Sequence, residues 1–395
     1  MRICLVGPCS PLDVWEIMNE ESRNNSSNLV GQRGIPVSSL ALALHRLGHN
    51  ITIISSTNQV TSVQFFSGIN FRMYVIPQRK NYRKLVLTFY LNEARMVRKI
   101  LDEISNSIDI FNVHWTYEFA MATWGLKKPV VITVHDSPWQ VLKLRARNPF
   151  WYFRYFMGLG VRIFSKSRTF VFVSTDLKNK WRKEFLWLKP SIIIPNVGPF
   201  EAENFSSPSS ALKQLLVVVG DYTFNKNPHV VLNCLPELNQ NLENPIEVHF
   251  VGHGLGPNDS LALEKRPRSN LVDIIWEGYL EREAYKNLLR RSTCLVQPSL
   301  VESFGLTIIE AFALGVPVIC GSNPGPSYEI VGESALVIDM RSTKLLATTI
   351  LKLLSDDTLQ ENLRIGGKKR FMEKFESSVV ANSYIELYEK ELKAV

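Results

Sequence analysis

Short apolar runs bounded by Pro, Gly and polar residues recur along the chain at intervals of helix length. Runs of that kind predict buried strands, and the longer segments between them predict helices. The first series is Arg2–Val6, Asn50–Ile54, Asp109–Val113, Pro129–Val134, Thr169–Val173 and Ser191–Ile194. A second runs through Leu215–Val219, Glu247–Val251, Asp273–Trp276, Cys294–Gln297, Val316–Cys320 and Ala335–Ile338. Between them lies PFEAENFSSPSSALK, polar and rich in Ser and Pro, which reads as a linker. Two parallel α/β domains are therefore expected, over 1–200 and 201–375. Val37–Leu47, Asn81–Ile104 and the tail from Thr358 carry helical spacing, whereas Cys9 to Asn28 is polar and predicts a long loop.

Within the second series, Gly305–Leu314 predicts a helix ended by Gly315, with Pro317 just beyond. Ile309, Ala311, Phe312 and Leu314 surround Glu310, so this helix is expected to be buried. A buried carboxylate needs a partner. Either a protein cation or a polyhydroxylated ligand at the carboxyl edge of the sheet would satisfy it. Glu302 precedes Glu310 in a Glu-x7-Glu spacing, and the run ESFGLTIIEAFALGVPVI leads into a Pro-Gly-Pro-Ser-Tyr-Glu turn. In a strand–helix–strand setting this resembles the C-terminal signature of the retaining glycosyltransferases of family four.

The resemblance implies the α/β GT-B fold: two Rossmann-like parallel-sheet domains facing a central cleft, with a last helix, 376–395, crossing back to the N-terminal domain. It implies a retaining glycosyltransferase that moves a sugar from a nucleotide-diphosphate-sugar to a hydroxyl of a glycan or lipid-linked acceptor. It assigns donor-sugar contacts to Glu302 and His135, the latter in VVITVHD, and ribose contacts to Glu310. The amides around Phe304, Gly305, Leu306 and Thr307 would hold the diphosphate together with Lys226, and Tyr279 would pack on the base. In the loop Gly220 to Lys226, Asp221 stands where the family usually carries an arginine, and a carboxylate there repels a diphosphate unless it turns away or finds a cation. Gly31 and Gly34 precede a helix, where they either bring amides to the diphosphate or simply allow a turn. His114, also at a strand end, neighbours this set.

Composition bears on partners more than on fold. The 395 residues suit two domains of about 200. Five cysteines, in or beside apolar runs and without a Cys-x-x-Cys, predict reduced core residues in a cytoplasmic protein. MRICLVGP enters a strand directly, with no signal-peptide pattern, and no run is long enough to span a membrane. No Asp-x-Asp, His-Glu-x-x-His or Walker loop occurs, so no metal and no cofactor is expected beyond the co-substrate. A net charge of +8 admits acidic partners. The aromatic and basic stretch Pro149–Arg182 reads as a core helix or a membrane-facing one, at the inner face of an anionic membrane, and the helix from Asn81 reads as a core helix with a solvated basic face or as a surface that touches anionic lipid. With no nucleic-acid motif beside them, nucleic acid is not an expected partner. Two competing readings remain: a non-catalytic or weakened relative in a glycan-assembly complex, suggested by Asp221, and a relative of different reaction, a nucleotide-sugar epimerase or phosphorylase.

Overall fold

A computed structural model describes residues 1–78, 91–148, 150–186, 191–203, 213–221, 225–263, 270–322 and 327–394. They form two compact units, Met1–Pro199 with Ser377–Val395, and Phe200–Glu376. The α/β class expected from the sequence is the class observed, with one largely parallel sheet per unit.

The first unit contains β1 (Arg2–Val6), β2 (Asn50–Thr57), β3 (Gln64–Gly68), β4 (Phe71–Pro77), β5 (Ile110–His114), β6 (Val130–Val134), β7 (Thr169–Phe172) and β8 (Ile192–Ile193). Their order across the sheet is β3-β4-β2-β1-β5-β6-β7-β8, and only β3 runs antiparallel, against β4. The helices are α1 (Glu20–Ser26), α2 (Ile35–Arg46), α3 (Leu91–Ile104), α4 (Glu118–Ala122), α5 (Pro138–Arg145), α6 (Phe150–Phe164) and α7 (Thr175–Phe185). In the second unit, β9 (Lys213–Asp221), β10 (Ile246–His253), β11 (Val272–Gly278), β12 (Cys294–Gln297), β13 (Val318–Gly321) and β14 (Leu336–Ile338) lie in the order β11-β10-β9-β12-β13-β14. With them go α8 (Pro228–Asn241), α9 (Ser260–Leu263), α10 (Arg282–Arg291), α11 (Leu306–Ala313), α12 (Ser327–Val331), α13 (Thr343–Ser355) and α14 (Asp357–Lys374). The chain then adds α15 (Ser377–Lys393) to the first unit.

Two expectations are corrected here. The stretch from Cys9 to Asn28 is no loop: it holds a 3-10 turn, Pro11–Ile17, and α1. Ser10 and Asn19 cap them by accepting from the amides of Leu12 and Ser22, and buried Val14 anchors the turn. The hairpin β3–β4 went unpredicted because its turn rests on Asn70 in the left-handed region (φ 54) rather than on a glycine. The predicted helix from Asn81 is described only from Leu91 onwards. Residues 204–212 of the linker, 222–224 of the Gly220–Lys226 loop and 323–326 of the Pro-Gly-Pro-Ser turn also fall outside the described residues.

Parallel strands buried on both faces account for the unbroken apolar runs: Ile3–Val6, Val130–Val134 and Cys294–Val296 are all buried. The core of the first unit is completed by α15, whose Val380, Ala381, Tyr384, Leu387 and Tyr388 join Ile3, Leu5, Leu40 and Leu44. Two buried tyrosines carry hydroxyls into that core and find polar partners there. Asn112 Nδ2 donates to Tyr388 Oη (2.6 Å), Thr133 Oγ1 donates to Asn112 Oδ1 (2.9 Å), and Tyr384 Oη lies 3.3 Å from Thr133 Oγ1. All five cysteines are buried and free, and burial raises their thiol pKa values. Among the described residues no helix is long and apolar enough to cross a membrane.

Removing one hydroxyl from this network should therefore be felt across the unit. Tyr388→Phe leaves a buried amide donor on Asn112 without its acceptor, and a loss of about 1–3 kcal/mol is expected. A lowered melting temperature with an unchanged far-UV spectrum would bear this out, and an unshifted melt would refute it.

Candidate functional site

At the carboxyl ends of β9 and β12 two loops are stitched together. The amide of Leu300 donates to the carbonyl of Asn225 (2.7 Å), and Asn227, left-handed at the start of α8, donates its side-chain amide to Met340 O (2.8 Å). This brings Lys226 Nζ to 2.5 Å from Glu302 Oε1, with both side chains mostly shielded from water. The structure thus joins two of the residues singled out in the sequence, and each is the other's counter-ion.

Immediately after Glu302 the chain turns into α11 through Gly305, whose φ of +94° lies in the left-handed region that a side chain resists. Among the described residues no side chain caps α11. Ile308 N bonds back to Gly305 O (3.0 Å), so the amides of Leu306 and Thr307 head the helix, where partial positive charge gathers. Gln297 Nε2 holds Thr307 Oγ1 (3.2 Å). Phe304 is buried edge-on against Phe375 (6.0 Å, 84°), so its side chain is a packing element and only its backbone faces the loop chemistry.

One turn into α11, Glu310 is buried, as its apolar neighbours predicted. Burial raises its carboxyl to about 7, opposed by the Tyr285 hydroxyl and by the charge of Arg282. Of the two kinds of partner left open by the sequence, the protein supplies one itself. Arg282 and Tyr285 stand one turn apart on α10, and Arg282 also lies over the Phe200 ring (5.5 Å). Nothing in the sequence linked them to Glu310 beyond their shared helical face.

Tyr279 follows β11, half exposed, and stacks on His253 (4.6 Å, 13°). Its position is fixed by Gly278 N donating to Leu255 O (3.0 Å), which clamps the turn after β11 to the Val251–Gly256 turn. That glycine-rich turn supports the aromatic pair.

In the first unit, His135 follows β6 and His114 ends β5. His114 Nδ1 lies 2.8 Å from His135 Nε2, and His135 packs on Trp115 (4.3 Å). Burial lowers both rings, His114 to about 3 and His135 well below its ordinary value, so both are neutral at pH 7. His114 Nε2 is buried, with no hydrogen-bond partner among the described residues. Next to His135, Asp136 is pushed up to about 6 by burial, while Tyr117 Oη donates to it (2.9 Å) and the Arg154 charge opposes the rise. The Arg154 guanidinium lies over the Tyr117 ring (3.8 Å). Asp136 was legible beside His135; Tyr117 and Arg154 were not. Of the glycine pair, Gly31 (φ +65) spends its amide on Gln59 Oε1 (2.8 Å), which favours the turn reading. Gly34 heads α2 so close to Pro8 that a Cβ would sit 1.8 Å from the Pro8 carbonyl oxygen. Among the described residues no three His, Cys, Asp or Glu side chains gather as a metal set.

Residues 37–197 match the Glycosyltransferase Family 4 domain, and residues 199–370 match Glycosyl transferases group 1. The phosphatidyl-myo-inositol mannosyltransferase of Mycobacterium leprae is 23% identical over 365 residues, covering 89% of this chain and 90% of that one. In four further curated relatives, matched over shorter stretches, the chain spans between 8% and 39% of their lengths. Among solved structures, sucrose-phosphate synthase from Thermosynechococcus elongatus superposes with a TM-score of 0.71 at 16% identity, covering 100% of both chains. Anabaena HepE in complex with UDP and glucose does so with a TM-score of 0.64 at 14% identity, over 98% of this chain and 99% of that one.

The raised carboxyl of Glu310 has a consequence for stability. Its pKa in the folded chain, about 7, exceeds its ordinary 4.5. The unfolded chain therefore releases the proton first, and stability is lost as pH rises between those values, by about 3 kcal/mol in all. Glu310→Gln should remove this slope. The variant's melting temperature should gain on the wild type between pH 5 and pH 8, and a pH-independent difference would contradict it.

Proposed function

This chain belongs to the group 1 glycosyl transferases, and we propose that it transfers a sugar, with retention of anomeric configuration, from a nucleotide-diphosphate-sugar to a hydroxyl of a glycan or lipid-linked acceptor. The observation that carries the reading is the Lys226–Glu302 pair set against the uncapped start of α11. A lysine and two helix-start amides form a receptor for two phosphates. They act most strongly when charge develops on the leaving diphosphate, which is the condition for lowering the barrier.

Each group takes a role from its position. Lys226 and the amides of Leu306 and Thr307 meet the diphosphate. Glu302, released in part from Lys226, accepts hydrogen bonds from the donor sugar. Glu310 accepts from the ribose hydroxyls, and the ring of Tyr279 on His253 offers the base a stacking surface. The neutral His135 is suited to hydrogen-bond a sugar hydroxyl without adding charge. The glycosidic C–O bond breaks as the acceptor oxygen bonds to the same carbon from the same face, and the acceptor proton passes to a leaving phosphate oxygen. Because fixed cations and amides neutralise the leaving group, the reaction needs no resident metal. A lipid-linked acceptor would hold the protein against an anionic membrane through its basic surface.

UDP-glucose is the natural first probe, since UDP and glucose occupy the HepE structure. UDP should raise the melting temperature in a concentration-dependent way. Lys226→Ala should lower kcat by about 100- to 1000-fold, as for the loss of an oxyanion donor. Glu302→Gln should also impair transfer, and exhaustive chelation should leave it unchanged. Conversion of the donor without any acceptor, or nucleotide binding with no turnover over a panel of acceptors, would overturn the assignment.

A further inference from the structure

Eleven Lys and Arg but only two acidic residues lie between Pro138 and Leu186, so this stretch alone exceeds the net charge of the whole chain, +8. Both acids are occupied: Asp176 pairs with Lys180 (2.6 Å), and Glu184 accepts from Ser137. The same stretch exposes large apolar side chains. Phe156 is 62% exposed, Phe164 68% and Leu186 74%, with Tyr152 and Trp139 close to half.

These side chains share a surface. Tyr152, Phe156, Ile163 and Phe164 follow one another at helical spacing along α6. Tyr155 touches Trp139 on α5 (5.6 Å) and Phe185 at the end of α7 (5.7 Å), and Arg162 Nη2 reaches the carbonyl of Leu186 (3.3 Å). Leu186 is itself left-handed (φ 50, ψ 44), a conformation unfavourable for leucine, yet it points its side chain at solvent. Lys143, Arg145, Arg147, Lys166, Arg182 and Lys183 are exposed along these elements. The other basic helix, α3, carries no net charge over Leu91–Ile104, where Arg95, Arg98 and Lys99 are matched by Glu93, Asp102 and Glu103. There Arg98 pairs with Asp102 and donates to Trp124 O, and Lys99 faces Glu103, so much of its charge is answered locally.

We infer that the α5–α6–α7 face is a docking surface for an anionic lipid bilayer, with Phe156, Phe164 and Leu186 entering the headgroup region and the cations lying against lipid phosphates. This rests on the peripheral membrane contact proposed above and deepens it by naming the face. Aromatic side chains rimmed by Lys and Arg match the interfacial zone, where apolar area and anionic charge lie a few ångströms apart. At 15 residues α6 is too short to span the hydrocarbon core and suits a helix lying on it.

Flotation of the full chain with phosphatidylcholine vesicles, with and without phosphatidylglycerol, tests this without donor or acceptor, so it is independent of transferase activity. Binding is expected only with phosphatidylglycerol and should weaken as salt is raised. The double variant Phe156→Ser/Phe164→Ser should lose about tenfold or more in partitioning. Its melting temperature, and its shift with UDP, should match the wild type. Leu186→Gly provides a second readout: vesicle binding should fall while the melting temperature rises, because glycine relieves the left-handed strain. Wild-type binding by the double variant would overturn the proposal. So would retention of a single-stranded oligonucleotide, or self-association through this face, in place of vesicle binding.

Discussion

A lysine and a glutamate 76 residues apart meet at 2.5 Å where water is scarce, and much of the second unit follows from that meeting. Two shielded charges of opposite sign are tolerable together and costly apart. The loops after β9 and β12 are therefore committed to each other, and the Leu300–Asn225 backbone bond keeps them in register. Glu302 in turn places the chain at the mouth of α11, where Gly305 turns the backbone left-handed and leaves the first helical amides uncapped. The cation, the carboxylate and the helix start form one connected cluster.

Within each unit, burial sets protonation states more than charge pairing does. Glu310, Asp136, His114 and His135 are all displaced chiefly by loss of solvent, each toward its neutral form. Neutral imidazoles and half-protonated carboxyls can hydrogen-bond to sugar hydroxyls without opposing the phosphate charge.

Much of this was legible in the sequence because parallel strands buried on both faces leave continuous apolar runs, and because Glu302, Gly305 and Glu310 sit within one short helix-bearing segment. Lys226 could be placed only through the family resemblance, as the last residue of the Gly220–Lys226 loop. What escaped was of another kind. α1 and the turn before it are written in polar caps, Ser10 and Asn19, which resemble a loop's composition. The partners of Glu310, Arg282 and Tyr285, come from a helix far along the chain, and no periodicity announces a contact made only in three dimensions. Arg154 was hidden among aromatics whose exposure differs from one residue to the next: Phe150 is buried and Phe156 stands in solvent.

The polar stitching of α15 by Asn112 and Thr133 has a temporal side. The first unit begins at the start of the chain, but its core is closed by residues 377–393, which a ribosome releases only after the entire second unit. Until then Asn112, Ile3 and Leu40 lack the tyrosines and leucine that cover them. The amino-terminal half thus waits, incompletely sealed, for the last helix of a chain whose middle portion can already fold on its own schedule.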